Sequence, residues 1–257
     1  MSRLLHGLAA LAHGTQSTYG FVLTNQVYPE KGKVFLSNPV ARFEKQEEAP
    51  STFAEYRLGN LVSAFPALST INHLWSVLDK QGYDKVLKQG YNPVRWGEYS
   101  VSAGIMFWTI SQLTGIRDIK ILFPLLLGNA ALQYTGYSIE KDVGQKRFES
   151  ANRQQVSGFV LFLALWIPLF VAFFTAIERS ANKVPPEVYA IIFVLFSLML
   201  CFGILSLLYS TQRITDFRKI ETGYLVLSFV SKTLLTNLTL FGVLFSEPDE
   251  PAATPSA

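Results

Sequence analysis

The stretch Thr222-Gly-Tyr-Leu-Val-Leu-Ser-Phe-Val-Ser-Lys232-Thr-Leu-Leu-Thr-Asn-Leu-Thr-Leu-Phe-Gly-Val-Leu-Phe245 is predominantly apolar and carries one lysine near its middle. As a helix rising ~1.5 Å per residue, it is long enough to cross a bilayer core of ~30 Å. The Lys232 backbone then lies roughly 15 Å from either end at that rise, too far for the side chain to reach the headgroups easily. A lone ammonium at that depth is penalised by at least ~2.5–3.5 kcal/mol. Lys232 therefore needs a partner, a water-lined cavity, or a chemical reason to be there.

Two readings stand at this point. Lys232 is either half of a structural ion pair inside a helix bundle, or a desolvated amine that carries a Schiff base to a carbonyl ligand. The rest of the chain bears on the choice. Of its 257 residues 49% are hydrophobic and 16% charged, against roughly 25% charged in soluble domains. Six more hydrophobic windows precede the last one, at roughly Leu4–Asn25, Tyr56–Leu78, Pro93–Thr114, Ile119–Ile139, Val156–Ile177 and Val188–Ser210. The expected fold is an all-α membrane protein of seven transmembrane helices over residues 1–245, followed by a disordered, acidic, Pro- and Ala-rich tail at 246–257.

The first span resembles a signal peptide in length, but it lacks a strongly basic start. His6, His13 and Gln16 interrupt its apolar core. Polar residues at membrane depth point instead to a helix that lines the bundle interior. Residues 26–52 form the one long connection. There Lys33-Val-Phe-Leu36 and Val40-Ala-Arg-Phe43 flank Ser37-Asn38-Pro39, which predicts a β-hairpin followed by an exposed stretch, Glu44–Ser51. Lysine and arginine concentrate in the second-to-third, fourth-to-fifth and sixth-to-seventh connections, ten against four in the opposing short loops. That bias predicts a cytoplasmic N-terminus, an extracellular C-terminus and an extracellular first loop.

Several classes are disfavoured. Cys201 is the single cysteine, so no intramolecular disulfide forms. A net charge of +3 gives no basis for nucleic-acid binding. Neither metal-ligand spacing, a phosphate-binding glycine loop nor a nucleophile elbow is present, so no enzymatic activity and no metal are expected.

Glu98 is the one carboxylate that falls clearly inside a span; Glu140, Glu187 and Glu221 read as edge residues. One interior acid and one interior base is a pairing signal. Asn92-Pro93 opens the third span as an N-cap with proline at the first helical position, which places Glu98 about two turns in. Helical side chains lean toward their own N-terminus, and the third and seventh spans run the same way, so the Lys232 amine can meet Glu98. On the same helical faces lie Ser102, Met106 and Thr109, and Ser228 and Thr236. Trp108, Trp166, Phe196, Phe202 and Phe229 are candidate walls for an apolar ligand with one reactive polar end.

Seven spans with a lysine midway along the last are the pattern of retinal-binding rhodopsins. Within it, Arg95-Trp-Gly-Glu-Tyr-Ser100, Ser228-Phe-Val-Ser-Lys232 and His13-Gly-Thr-Gln16 closely resemble the heliorhodopsins, over nearly the whole chain. The resemblance implies all-trans retinal bound covalently to Lys232 as a protonated Schiff base, with Glu98 as counterion. It also implies Ser102 and Ser228 beside the Schiff base, Met106 against the polyene, Asn129 and Gln133 toward the ring, and His13 and His73 in a proton-accepting cavity. The same family is inverted in the membrane and forms homodimers through a sheet in the first extracellular loop. Proton-pumping relatives carry carboxylates where this chain has Ser228 and Thr109, so a slow-cycling light sensor without efficient pumping is expected. The alternatives are a light-gated proton or ion channel, or a transporter built on the Glu98–Lys232 pair. No docking motif identifies a downstream signalling partner.

Overall fold

A computed structural model describes residues 2–26, 31–36, 51–179 and 184–244. Among these, eight α-helices follow in order: α1 Ser2–Gln26, α2 Leu58–Leu78, α3 Lys80–Gln89, α4 Pro93–Leu113, α5 Ile119–Gly144, α6 Phe148–Arg179, α7 Pro186–Ser210 and α8 Phe217–Asn237. A π-helical turn, Leu238–Leu244, continues α8. Each long helix packs on the next, and α8 returns to α1 and α2, so the bundle closes into a ring around a shared interior. The short α3 is the exception: an amphipathic helix in the connection between α2 and α4, with Tyr83 and Val86 buried beneath it.

Local chemistry sets the ends. Asn92 Oδ1 accepts from Arg95 N at 3.0 Å ahead of Pro93, as its N-cap position demands. Asp118 and Asp216 cap α5 and α8 in the same manner. Gly90, at φ 77°, ends α3 in the left-handed region that glycine enters without a Cβ clash.

Leu58–Leu78, Phe148–Arg179, Pro186–Ser210 and Phe217–Leu244 are long and apolar enough to cross a membrane. In the other long helices interior polar groups dilute the apolar composition: His6, His13 and Gln16 in α1, Arg95 and Gln112 in α4, Glu140 and Asp142 in α5, all buried. The outer surface is apolar. On α6, Val156, Val160, Leu163, Ile167, Val171 and Phe174 are exposed at helical spacing, while Phe162, Leu165, Trp166, Leu169 and Phe173 face inward. An exposed stripe of that length is a lipid-facing surface.

The small sheet differs from the sequence expectation. β1, Gly32–Leu36, pairs antiparallel not with Val40–Phe43, which lies outside the described residues, but with β2, Ser51–Tyr56. Of the stretch expected to be exposed, Glu44–Ser51, only Ser51 is described, and it opens β2. Tyr56 consequently belongs to a strand, not to the second span. Val34 is fully buried, and Phe35 N donates to Arg117 O at 2.8 Å, which anchors the sheet on the α4–α5 connection. That anchor links residues far apart in sequence, which a turn-based reading of neighbouring runs misses. The tail at 246–257 also lies outside the described residues.

Candidate functional site

Lys232 and Glu98 meet. Lys232 Nζ lies 2.7 Å from Glu98 Oε1, both side chains buried. Between them stands a residue the sequence reading missed, Ser69 of α2. It accepts from Lys232 Nζ and donates to Glu98 Oε1 at 2.9 Å. A lone serine in an apolar helix carries no signal of its own; only its place one turn before His73 hints at a shared face. The Tyr99 ring, its centroid 5.1 Å from Lys232 Nζ, covers the ammonium from another side. Glu98 Oε2 and Ser102 Oγ are buried without a protein partner among the described residues.

From Lys232 an apolar cavity runs between α4, α5, α6, α7 and α8. Ser102, Met106, Gln133 and Ser228 line it. Asn129 stands behind, accepting from Gln133 Nε2 at 3.3 Å. Thr109 is turned to its own helix, bonding Ile105 O, and Thr236 bonds Val62 O on α2. Of the aromatic walls proposed from sequence only Phe202 lines the cavity. Trp166 and Phe196 back the lining residue Phe162, Trp108 packs on Tyr56, and Phe229 packs on His13. The missed lining includes Trp96, Tyr99, Phe159, Phe162 and the hydrogen-bonded pair Ser206 and Gln155. Aromatics are so common in these helices that only the packing sorts them.

On the other side of the ion pair, His13 and His73 stack with ring planes 2° apart and centroids 5.8 Å apart. His6 joins them, its Nδ1 2.9 Å from His73 Nδ1.

A second buried cluster corrects the sequence reading. Glu140 and Glu221 are not edge residues: both are buried around Arg95. Arg95 Nη2 pairs with Glu140 Oε1, and Arg95 Nε lies 3.1 Å from Glu221 Oε2. Asn92 N and Trp96 Nε1 donate to Glu140 Oε2, each at 2.8 Å, and Asn92 Nδ2 donates to Glu221 Oε1 at 2.6 Å. The guanidinium lies over the Tyr224 ring, 4.0 Å from its centroid. Interior carboxylates escaped the hydropathy reading because α5 and α8 extend beyond their apolar windows and carry these acids back under α3 and α4.

The family model described as Heliorhodopsin matches residues 3–244. The chain belongs to the heliorhodopsin family. It is therefore an integral membrane protein of a light-sensing, retinal-binding kind, and membership bears out the motif resemblance. Solved structures agree in fold. The transmembrane domain of Salpingoeca rosetta rhodopsin phosphodiesterase is 12% identical, with a TM-score of 0.66 over 95% of this chain and 84% of that one. Thermophilic rhodopsin from Rubrobacter xylanophilus is 13% identical, with a TM-score of 0.65 over 94% and 96% of the two chains. At such identities the likeness is one of fold alone. No functionally curated protein matches the chain.

The heliorhodopsin site fits a retinal on its own chemistry. A mostly apolar cavity is lined by a single amine, and that amine faces a carboxylate with an unused oxygen. Lys232 would hold the group, Met106, Phe162 and Phe202 would flank it, and Gln133 would meet its far part.

Proposed function

We propose that the chain is a seven-span light receptor, N-terminus cytoplasmic and C-terminus extracellular, in which Lys232 carries all-trans retinal as a protonated Schiff base. The observation that carries this reading is the buried Lys232–Glu98 pair opening onto the apolar cavity. Bound retinal supplies visible absorption and a light-driven isomerisation of its chain. The protein's own residues do the rest. Glu98, held by Ser69, stabilises positive charge at the lysine nitrogen and so favours its protonated form. Trp96, Tyr99 and Phe162 give the cavity an aromatic wall.

When the nitrogen releases its proton, Glu98 is the nearest acceptor, and the buried polar atoms of Asn72, His13 and His73 lie beyond it. Ser228 and Thr109 offer no carboxylate to complete a transmembrane relay, which supports a slow sensor rather than an efficient pump. Pairing of two copies through the sheet is supported by the exposed Leu36 and Phe53 at its surface. A second reading, light-gated proton conduction, draws on the interior acids Glu140 and Glu221.

The test is a visible spectrum of protein expressed with all-trans retinal, followed by illumination in unbuffered vesicles and under voltage clamp. A visible band with neither a sustained pH change nor a photocurrent is expected. A photocurrent would replace the sensor with the channel, and the absence of any band in folded protein would return Lys232 and Glu98 to a structural ion pair.

A further inference from the structure

The chain contains three histidines, and all three meet in one buried cluster. His13 lies face to face with His73, His73 Nδ1 lies 2.9 Å from His6 Nδ1, and His6 Nε2 lies 2.9 Å from the Tyr83 hydroxyl on α3. The chain of contacts leads from the neighbourhood of Lys232, where His73 stands one turn beyond Ser69, to the short helix outside the ring.

We infer that the proton released at the lysine site is stored on His6, which receives it through His73 and holds it against the Tyr83 hydroxyl. This rests on the retinal reading above and deepens it.

The hydrogen bonding dictates the bookkeeping. Two facing Nδ1 atoms at hydrogen-bond distance share one proton, because a neutral imidazole has one N–H and one acceptor nitrogen. In the tautomer where His73 Nδ1 donates, His73 Nε2 is a bare acceptor, and that atom is buried without a protein partner among the described residues. A proton arriving at His73 Nε2 allows the Nδ1 proton to pass to His6 Nδ1. His73 is then neutral again, and His6 is an imidazolium with protons on both nitrogens, its Nε2–H donating to Tyr83 Oη. At His73 one N–H bond is made and one broken, at His6 one is made, and the N–H bond broken at the lysine nitrogen supplies the proton, so no co-reactant is needed. The inlet is polar as well: Glu98 Oε2, Asn72 Oδ1 and His13 Nε2 are buried without protein partners among the described residues, and buried polar atoms of this kind are bridged by ordered water.

Position favours His6 over its neighbours as the holder. His6 Nε2 has the Tyr83 hydroxyl beside it, whereas His13 Nε2 and His73 Nε2 have no protein partner among the described residues to hold an added proton. The groups facing His6 are His73 of α2 and Tyr83 of α3, with Glu221 of α8 and Arg95 of α4 acting through space. Those last two belong to one buried cluster, in which Glu221 attracts a cation at His6 and Arg95 repels it.

The test is light-minus-dark infrared difference spectroscopy on the full chain, loaded with all-trans retinal and labelled with ring-15N histidine. His6→Asn, which keeps a hydrogen-bonding side chain but cannot titrate, and Tyr83→Phe are compared with the wild type. An isotope-sensitive imidazolium band is expected in the wild type and absent in His6→Asn, with the dark visible band unmoved in both. Tyr83→Phe should keep the band but change the recovery rate several-fold and displace its pH profile. An unchanged histidine band in His6→Asn, or no histidine band in a wild type that has its visible band, would overturn the relay alone. A pH profile unmoved by Tyr83→Phe would remove Tyr83 from it. A folded wild type with no visible band would overturn the chromophore reading and this inference together.

Discussion

Two buried ionic clusters lie within the same bundle and are built in opposite ways. Around Arg95, all four carboxylate oxygens of Glu140 and Glu221 are engaged by five donors. Around Lys232, Glu98 receives both of its donors on one oxygen and leaves the other unused. A cluster whose carboxylate oxygens are all engaged, with Arg95 Nη1 alone left without a partner among the described residues, cannot change charge or partner without breaking several bonds at once, so it locks α4, α5 and α8 together. A half-saturated one can exchange a partner at small cost, and that is where chemistry is possible. Tyr99 stands between them, with Arg95 Cζ 5.6 Å and Lys232 Nζ 5.1 Å from its ring centroid.

The largest expected effect tests the open cluster. Lys232→Ala should abolish the visible band entirely while the protein still folds, because it removes one amine and leaves the Arg95 network whole; a band surviving in this variant would displace the attachment site. Next, Arg95→Gln strips the guanidinium from two buried carboxylates and should cost roughly 3–5 kcal/mol, read as a lower unfolding midpoint in detergent. A stability loss below about 1 kcal/mol would mean that the locked cluster locks nothing.

Glu98→Gln keeps the shape and removes the charge. It should shift the visible band to the red and lower the pKa of the lysine-bound nitrogen, seen by alkaline titration of the band, with little change in stability. An unmoved spectrum would remove Glu98 as counterion. Smaller again is Gly136→Ala. The new Cβ would fall within contact distance of the Trp96 ring, which donates to Glu140, and overpacking there should cost ~1–3 kcal/mol. If thermal unfolding is unaffected, Trp96 is free to move and the comparison weakens.

Tyr56, remote from both clusters, sets the scale. Its hydroxyl donates to Gln112 Oε1, and burial pushes the phenol up to about 12. The fold thus favours the neutral phenol. Its contribution is fully present below the ordinary tyrosine pKa of ~10 and is lost as pH rises through about 12. Tyr56→Phe should cost about 0.5–1.5 kcal/mol at neutral pH and remove that alkaline step from the stability profile. An alkaline step of equal size in both proteins would assign it to another group.

The sequence by itself determined the apolar spans and the two charges that stand out within them. Lys232 and Glu98 were legible because a charge inside a lipid-length apolar run is costly and must be answered by an opposite one. The motifs around them were enough to identify the family. Tertiary structure alone decided that Ser69 bridges the pair, that His6 joins His13 and His73, and that β1 pairs with Ser51–Tyr56. It also decided that Glu140 and Glu221 are interior rather than at an edge. The physical reason is common to the three that concern helices. Hydropathy reports depth along one helix, whereas these contacts depend on how neighbouring helices are rotated and how far they extend beyond their apolar windows. Packing of the closed ring sets both.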